Sequence, residues 1–166
     1  TRIMQDVVAA AHRHPPHGRG TVGMVQVFPN SRNVIPGRVK FSIDLRNSTD
    51  ALVDAMAAEV KAFADQVAQE HGVQVHIEMV SSYPAQLFQP ECVEAVGRAA
   101  AKLGYSHMPA VSGAGHDAVY MAKLAPSGMI FIPCKDGISH NEIEDAKAEH
   151  ITAGCNVLLH AMLERA

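Results

Sequence analysis

The chain has 166 residues, 48% hydrophobic and 19% charged, with a formal net charge of -3. That is enough apolar material for one ordinary domain or two small ones, and it excludes a disordered segment. There is no basic footprint for nucleic acid and no apolar run of membrane-spanning length, so neither is expected as a partner. Three cysteines (Cys92, Cys134, Cys155) without C-x-x-C spacing fit free thiols in a reducing compartment, and the expected location is cytoplasmic. Thr1 leads directly into Arg2-Ile3-Met4, without signal peptide or initiator methionine, so the N-terminus reads as a cut.

In chain order, residues 3–12 place Ile3, Met4, Val7, Val8 and Ala11 at helical spacing, stopped by Pro15 and Pro16. Residues 21–28 and 37–45 are strand-like, and Val39, Phe41, Ile43 and Leu45 alternate cleanly. With the turn Asn30-Ser31-Arg32-Asn33 between them they read as an antiparallel hairpin. Ser48 or Thr49 caps a helix to about residue 69, and Gly72 closes it. Residues 73–79 alternate again as a strand. Helix, strand, strand, helix, strand is a ferredoxin-like unit lacking its first strand. Tyr83-Pro84-Ala85-Gln86 is a linker, and the boundary falls near residues 81–89, giving units 1–82 and 83–166.

Pro90 starts the next helix and Gly104 ends it. The apolar runs 107–111 and 128–133 each flow into a loop holding a histidine, then into helices over 117–124 and 144–165. This is the rhythm of a parallel sheet, which binds ligands at the carboxyl ends of its strands. Both histidine loops fall at such ends.

The first loop, Ser112-Gly113-Ala114-Gly115-His116-Asp117, has two glycines that let backbone approach a ligand. A plain strand-to-helix turn explains it equally well. The second, Gly137-Ile138-Ser139-His140-Asn141-Glu142, offers His140 as a metal ligand or as a loop histidine before a helix. His116, Asp117, His140 and Glu142 make a marginal set for zinc, which needs three or four protein ligands. Ser112 and Cys134 lack the surroundings of a nucleophile, since SGAG is not a G-x-S-x-G elbow. Arg46 can grip a carboxylate in a two-bond fork and Asn33 can add a donor and an acceptor. A solvated arginine and a turn asparagine are the plainer reading.

Taken together, Pro29-Asn30-Ser31-Arg32-Asn33-Val34-Ile35-Pro36-Gly37, Asp44-Leu45-Arg46, residues 112–118 and residues 137–142 resemble a known group. It is the N-carbamoyl-L-amino-acid hydrolase, allantoate amidohydrolase and β-alanine synthase group of dinuclear metallo-amidohydrolases. The group belongs to the zinc-peptidase clan that carries an inserted lid, or dimerisation, domain. The resemblance implies an α/β chain: a ferredoxin-like α+β lid followed by the C-terminal portion of an α/β catalytic domain. It implies hydrolysis of the ureido or amide C–N bond of N-carbamoyl-L-amino acids or allantoate-like substrates, with two divalent ions (zinc, manganese or cobalt). His140 is the implied metal ligand, and Asn33, Arg46, Gly115 and His116 the implied substrate-binding residues, with His116 also catalytic. A homodimer through the lid is implied too. Group members are more than twice as long and carry the other metal ligands and the general base elsewhere, so this chain reads as an inactive C-terminal fragment. A non-catalytic dimerisation module and a peptidase or deacylase of the same clan are the alternatives.

Overall fold

A computed structural model describes all of residues 1–166, which divide into two compact units. Unit 1 holds residues 1–85 with 111–113, and unit 2 holds 86–110 with 114–166.

Unit 1 is two helices and a broken hairpin. Helix α1 spans Arg2–Arg13 and buries Val7, Ala10 and Ala11. Strands β1 (Arg19–Thr21), β2 (Val25–Phe28), β3 (Arg38–Phe41) and β4 (Asp44–Arg46) follow. They pair antiparallel in two short ladders, β1 with β4 and β2 with β3, as the alternation of residues 37–45 requires. Between the ladders the Met24 and Ser42 backbones and the Ser42 hydroxyl keep the strands in register. Helix α2 spans Asp50–His71, and its positive-φ Gly72 C-cap sits where only glycine is unstrained. Of the two candidate caps, Thr49 does the work, accepting from the Leu52 N–H. Val7, Ala10 and Val60 form the core, with Val22, Ile43 and Leu45 of the hairpin packed against it. Gly20 makes this approach possible, because a Cβ there would lie 2.2 Å from the Val7 carbonyl oxygen.

Unit 2 is built on helix α3 (Pro90–Lys102) and helix α5 (Ala148–Arg165). Their meeting faces are small, Ala99 and Ala100 against Val157 and Ala161, so the helices approach closely. Arg98 and Glu91 reach Glu164 and Arg165 near the end of α5, and Asn156 donates to the Tyr105 hydroxyl just past α3, so the pair runs antiparallel. Helix α4 (Asp117–Met121) and a 3-10 turn (Lys135–Gly137) lie in the two loops.

Three expected strands are corrected. Residues 73–79, 107–111 and 128–133 join no ladder: a strand exists only by pairing, and the ladders formed are β1 with β4 and β2 with β3 alone. Two helices are shorter than expected. The turns after Met121 stop α4 short of residue 124. Residues 144–147 stay out of α5 because the Asp145 carbonyl accepts from the Lys135 N–H at 2.7 Å, pinning the loop.

Candidate functional site

Arg46 ends β4, and Asp44 stands two residues before it, on the same face of the strand. The Arg46 Nε donates to Asp44 Oδ1 at 2.7 Å and Nη2 donates to Oδ2 at 3.0 Å. Nη1 donates to the Gly113 carbonyl at 2.7 Å, inside unit 1. A guanidinium has five N–H donors, so these bonds leave one on each terminal nitrogen. Hydrogen bonding to Asp44, then its charge, makes the Arg46 guanidinium still harder to deprotonate. The bond from Arg46 holds the Asp44 carboxyl below its usual range, against partial desolvation. Both side chains remain half exposed. On sequence Asp44 enters only as part of the Asp44-Leu45-Arg46 run and has no role of its own, although its i, i+2 spacing from Arg46 is the available signal.

Asn33 sits in the exposed turn joining β2 to β3, with its side-chain Oδ1 accepting from the Ser31 hydroxyl at 2.9 Å. The hairpin does not bring Asn33 and Arg46 together. At about 3.3 Å per residue, the run from Arg38 to Arg46 alone covers on the order of 25 Å. Asn33 lies beyond its Arg38 end.

In unit 2, His116 is the N-cap residue of α4 in extended conformation, half-buried, and its ring meets Phe131 edge-on with centroids 5.5 Å apart. Gly115 is exposed, with nothing within 4 Å of the place a Cβ would take. His140 has a left-handed backbone, φ 53°, unusual for a residue with a Cβ. Its N–H donates to Glu144 Oε2 at 2.8 Å, and Asn141 accepts from the Ile143 and Glu144 N–H groups. This small turn fixes the backbone while the His140 side chain stays exposed.

No three His, Cys, Asp or Glu side chains converge as a metal site. The four residues weighed for zinc therefore do not assemble, and the chain by itself supplies no complete metal centre. Glu144 is engaged by the His140 backbone, so His140 is an isolated donor. No helix is long and apolar enough to cross a membrane.

The model of peptidase family M20/M25/M40 matches residues 3–164. An N-carbamoyl-L-amino-acid amidohydrolase of Rhizobium meliloti is 47% identical over 165 residues, 99% of this chain and 40% of that protein. An allantoate amidohydrolase of Bacillus subtilis is 29% identical over 158 residues, 95% of this chain and 38% of that protein. The crystal structure of an amidase of the hydantoinase/carbamoylase family from Burkholderia multivorans superposes with a TM-score of 0.96 at 51% identity. It is covered over 40% of its length by 99% of this chain. The chain thus spans about two-fifths of the length of the curated relatives it matches. Since the family match runs through both units nearly end to end, the chain belongs to the peptidase family M20/M25/M40.

Proposed function

We propose that this chain serves a metal-dependent amidohydrolase that cleaves the ureido C–N bond of N-carbamoyl-L-amino acids or allantoate-like substrates. The names of its relatives support the substrate class. The observation that carries the reading is Arg46, anchored by three hydrogen bonds to two partners with two donors to spare. Such an arginine receives a substrate carboxylate without having to be ordered first, which favours alignment of the scissile bond. In this reading Gly115 offers close backbone approach, and His116, steadied by Phe131, stands by the reacting carbonyl.

The metals, two divalent ions of zinc, manganese or cobalt, would take from this chain the single ligand His140. Unit 1 is the lid and also the dimerisation element, since β2 and β3 each pair on one side only. A two-fold dimer supplies what the hairpin denies one copy: Asn33 of one chain reaching the substrate held by the other.

The test grafts this chain in place of the matched 165 residues of the Rhizobium meliloti enzyme. Arg46→Lys replaces a planar fork with a point charge. Losing a charge-assisted bond of about 1.5–3 kcal/mol should lower kcat/KM roughly ten- to a hundredfold. The loss should be much smaller on a substrate whose carboxylate is a neutral amide, and Asn33→Ala should discriminate less between the two. Equal losses on acid and amide would make Arg46 structural and sink the reading.

A further inference from the structure

Arg46 occupies an unusual place for a cation. In the β1–β4 ladder it stands directly opposite Arg19, and like charges at facing positions repel. Arg19 is turned back onto the carbonyls of Pro16 and Gly18, at 3.1 and 2.8 Å. Asp44 supplies the opposite charge for Arg46 from the same strand face. Its carboxylate takes Nε and Nη2 together, so the side edge of the guanidinium is closed. The Gly113 carbonyl then fixes the rotation of the plane through Nη1.

We infer that Asp44 is a positioning and specificity residue for Arg46: it reserves Nε, so a ligand carboxylate is received only by the two terminal nitrogens. This deepens the proposed function and rests on its reading of Arg46 as the carboxylate grip. Two consequences separate it from an ordinary surface ion pair. The guanidinium cannot swing to offer its side edge, so an incoming carboxylate has one approach and its substrate one orientation. The Asp44–Arg46 pair is also neutral, so the site selects a group that matches two directed donors rather than any small anion. Without Asp44, a mobile cation beside Arg19 would attract chloride as readily as a carboxylate.

The test uses the full 166-residue chain labelled with nitrogen-15, following the Arg46 Nε–H and terminal N–H resonances. The probes are N-carbamoyl-L-alanine, its neutral carboxamide and sodium chloride at matched concentration. In the parent chain, N-carbamoyl-L-alanine should shift the terminal resonances and leave Nε–H in place. The carboxamide and chloride should move neither. In Asp44→Asn the Nε–H should respond as well, and chloride should produce shifts comparable to the acid. Asp44→Glu, which keeps the charge and both oxygens, should restore a stationary Nε–H. If Nε–H moves with the terminal resonances in the parent chain, the ligand displaces Asp44, and the inference fails while Arg46 remains the grip. Responses in Asp44→Asn identical to the parent's would likewise reduce Asp44 to a surface partner. No response of Arg46 to the acid in any variant would overturn the grip reading and the inference with it.

Discussion

Asp44 and Glu59 are carboxylates of unit 1 held below the usual range, Asp44 by its bonds from Arg46, Glu59 by those from His14 and then Arg13. A carboxyl depressed in the folded state stabilises fully above its unfolded pKa and loses that contribution as pH falls through the folded value. Unit 1 should therefore weaken below about pH 4, where carboxylates ordinarily titrate. The Glu59 side chain is 39% exposed, so its share is discounted to about 1 kcal/mol or less. Urea melts at pH 6 and pH 3 check this: Glu59→Gln should lose less on acidification than the parent, and an equal loss would assign the network no role.

Gly20 makes the sharper prediction. A Cβ there meets the Val7 carbonyl, which α1 cannot move, so Gly20→Ala should cost about 2 kcal/mol or more. Gly37→Ala, with open space around it, should stay within about 0.5 kcal/mol in the same melts. At this scale the sequence singled out residue types suited to chemistry, Arg46 and His140 among them. It did not show that Asp44 closes one edge of Arg46, although i, i+2 neighbours on a strand face one way. Nor did it show the left-handed backbone of His140, whose N–H donates to the Glu144 carboxylate, a group that composition treats as simply solvated.

Helices α1, α2 and α3 were the most legible elements, since their end residues stand in the sequence. Val7 and Ala11 mark the buried face of α1, Thr49 and Gly72 bound α2, and Pro90 opens α3. The hairpin was legible too, except for its break at Met24 and Ser42, where side-chain bonding replaces the ladder. Alternation in residues 73–79 and the apolar runs 107–111 and 128–133 misled for one reason: pattern describes a face, while a strand needs a neighbour's edge. Residues of the 128–133 run pack without pairing. Ile132 fills the notch that Gly154 leaves in α5, where a Cβ would lie 2.8 Å from Ile132 Cγ2. Gly154→Ala and Ile132→Ala should therefore be coupled by about 0.5–1 kcal/mol in a double-mutant cycle, the second relieving the first. Additive effects would mean that the notch is not a contact.

As a whole molecule, the chain has two cores and much uncovered apolar surface, including Val80 and Tyr83 in unit 1 and Leu124 in unit 2. The proposed two-fold pairing through unit 1 predicts that the graft sediments as a dimer; a strictly monomeric graft at micromolar concentration would contradict it. His140→Ala in the graft should lower bound metal by about one of the two proposed ions and remove most activity, because a site left with two protein ligands falls short of the three or four that zinc takes. Retention of all metal with normal turnover would rule out the ligand role. The ureido chemistry is best checked by competition between substrates. The graft is given N-carbamoyl-L-amino acids and dipeptides of matched side chains together, and the ratio of kcat/KM values is read from product formation. Turnover of the carbamoyl compounds should exceed that of the dipeptides by at least about a hundredfold, the scale on which pocket shape alone separates ligands. A folded graft that cleaves the dipeptides and leaves the carbamoyl compounds intact would contradict it.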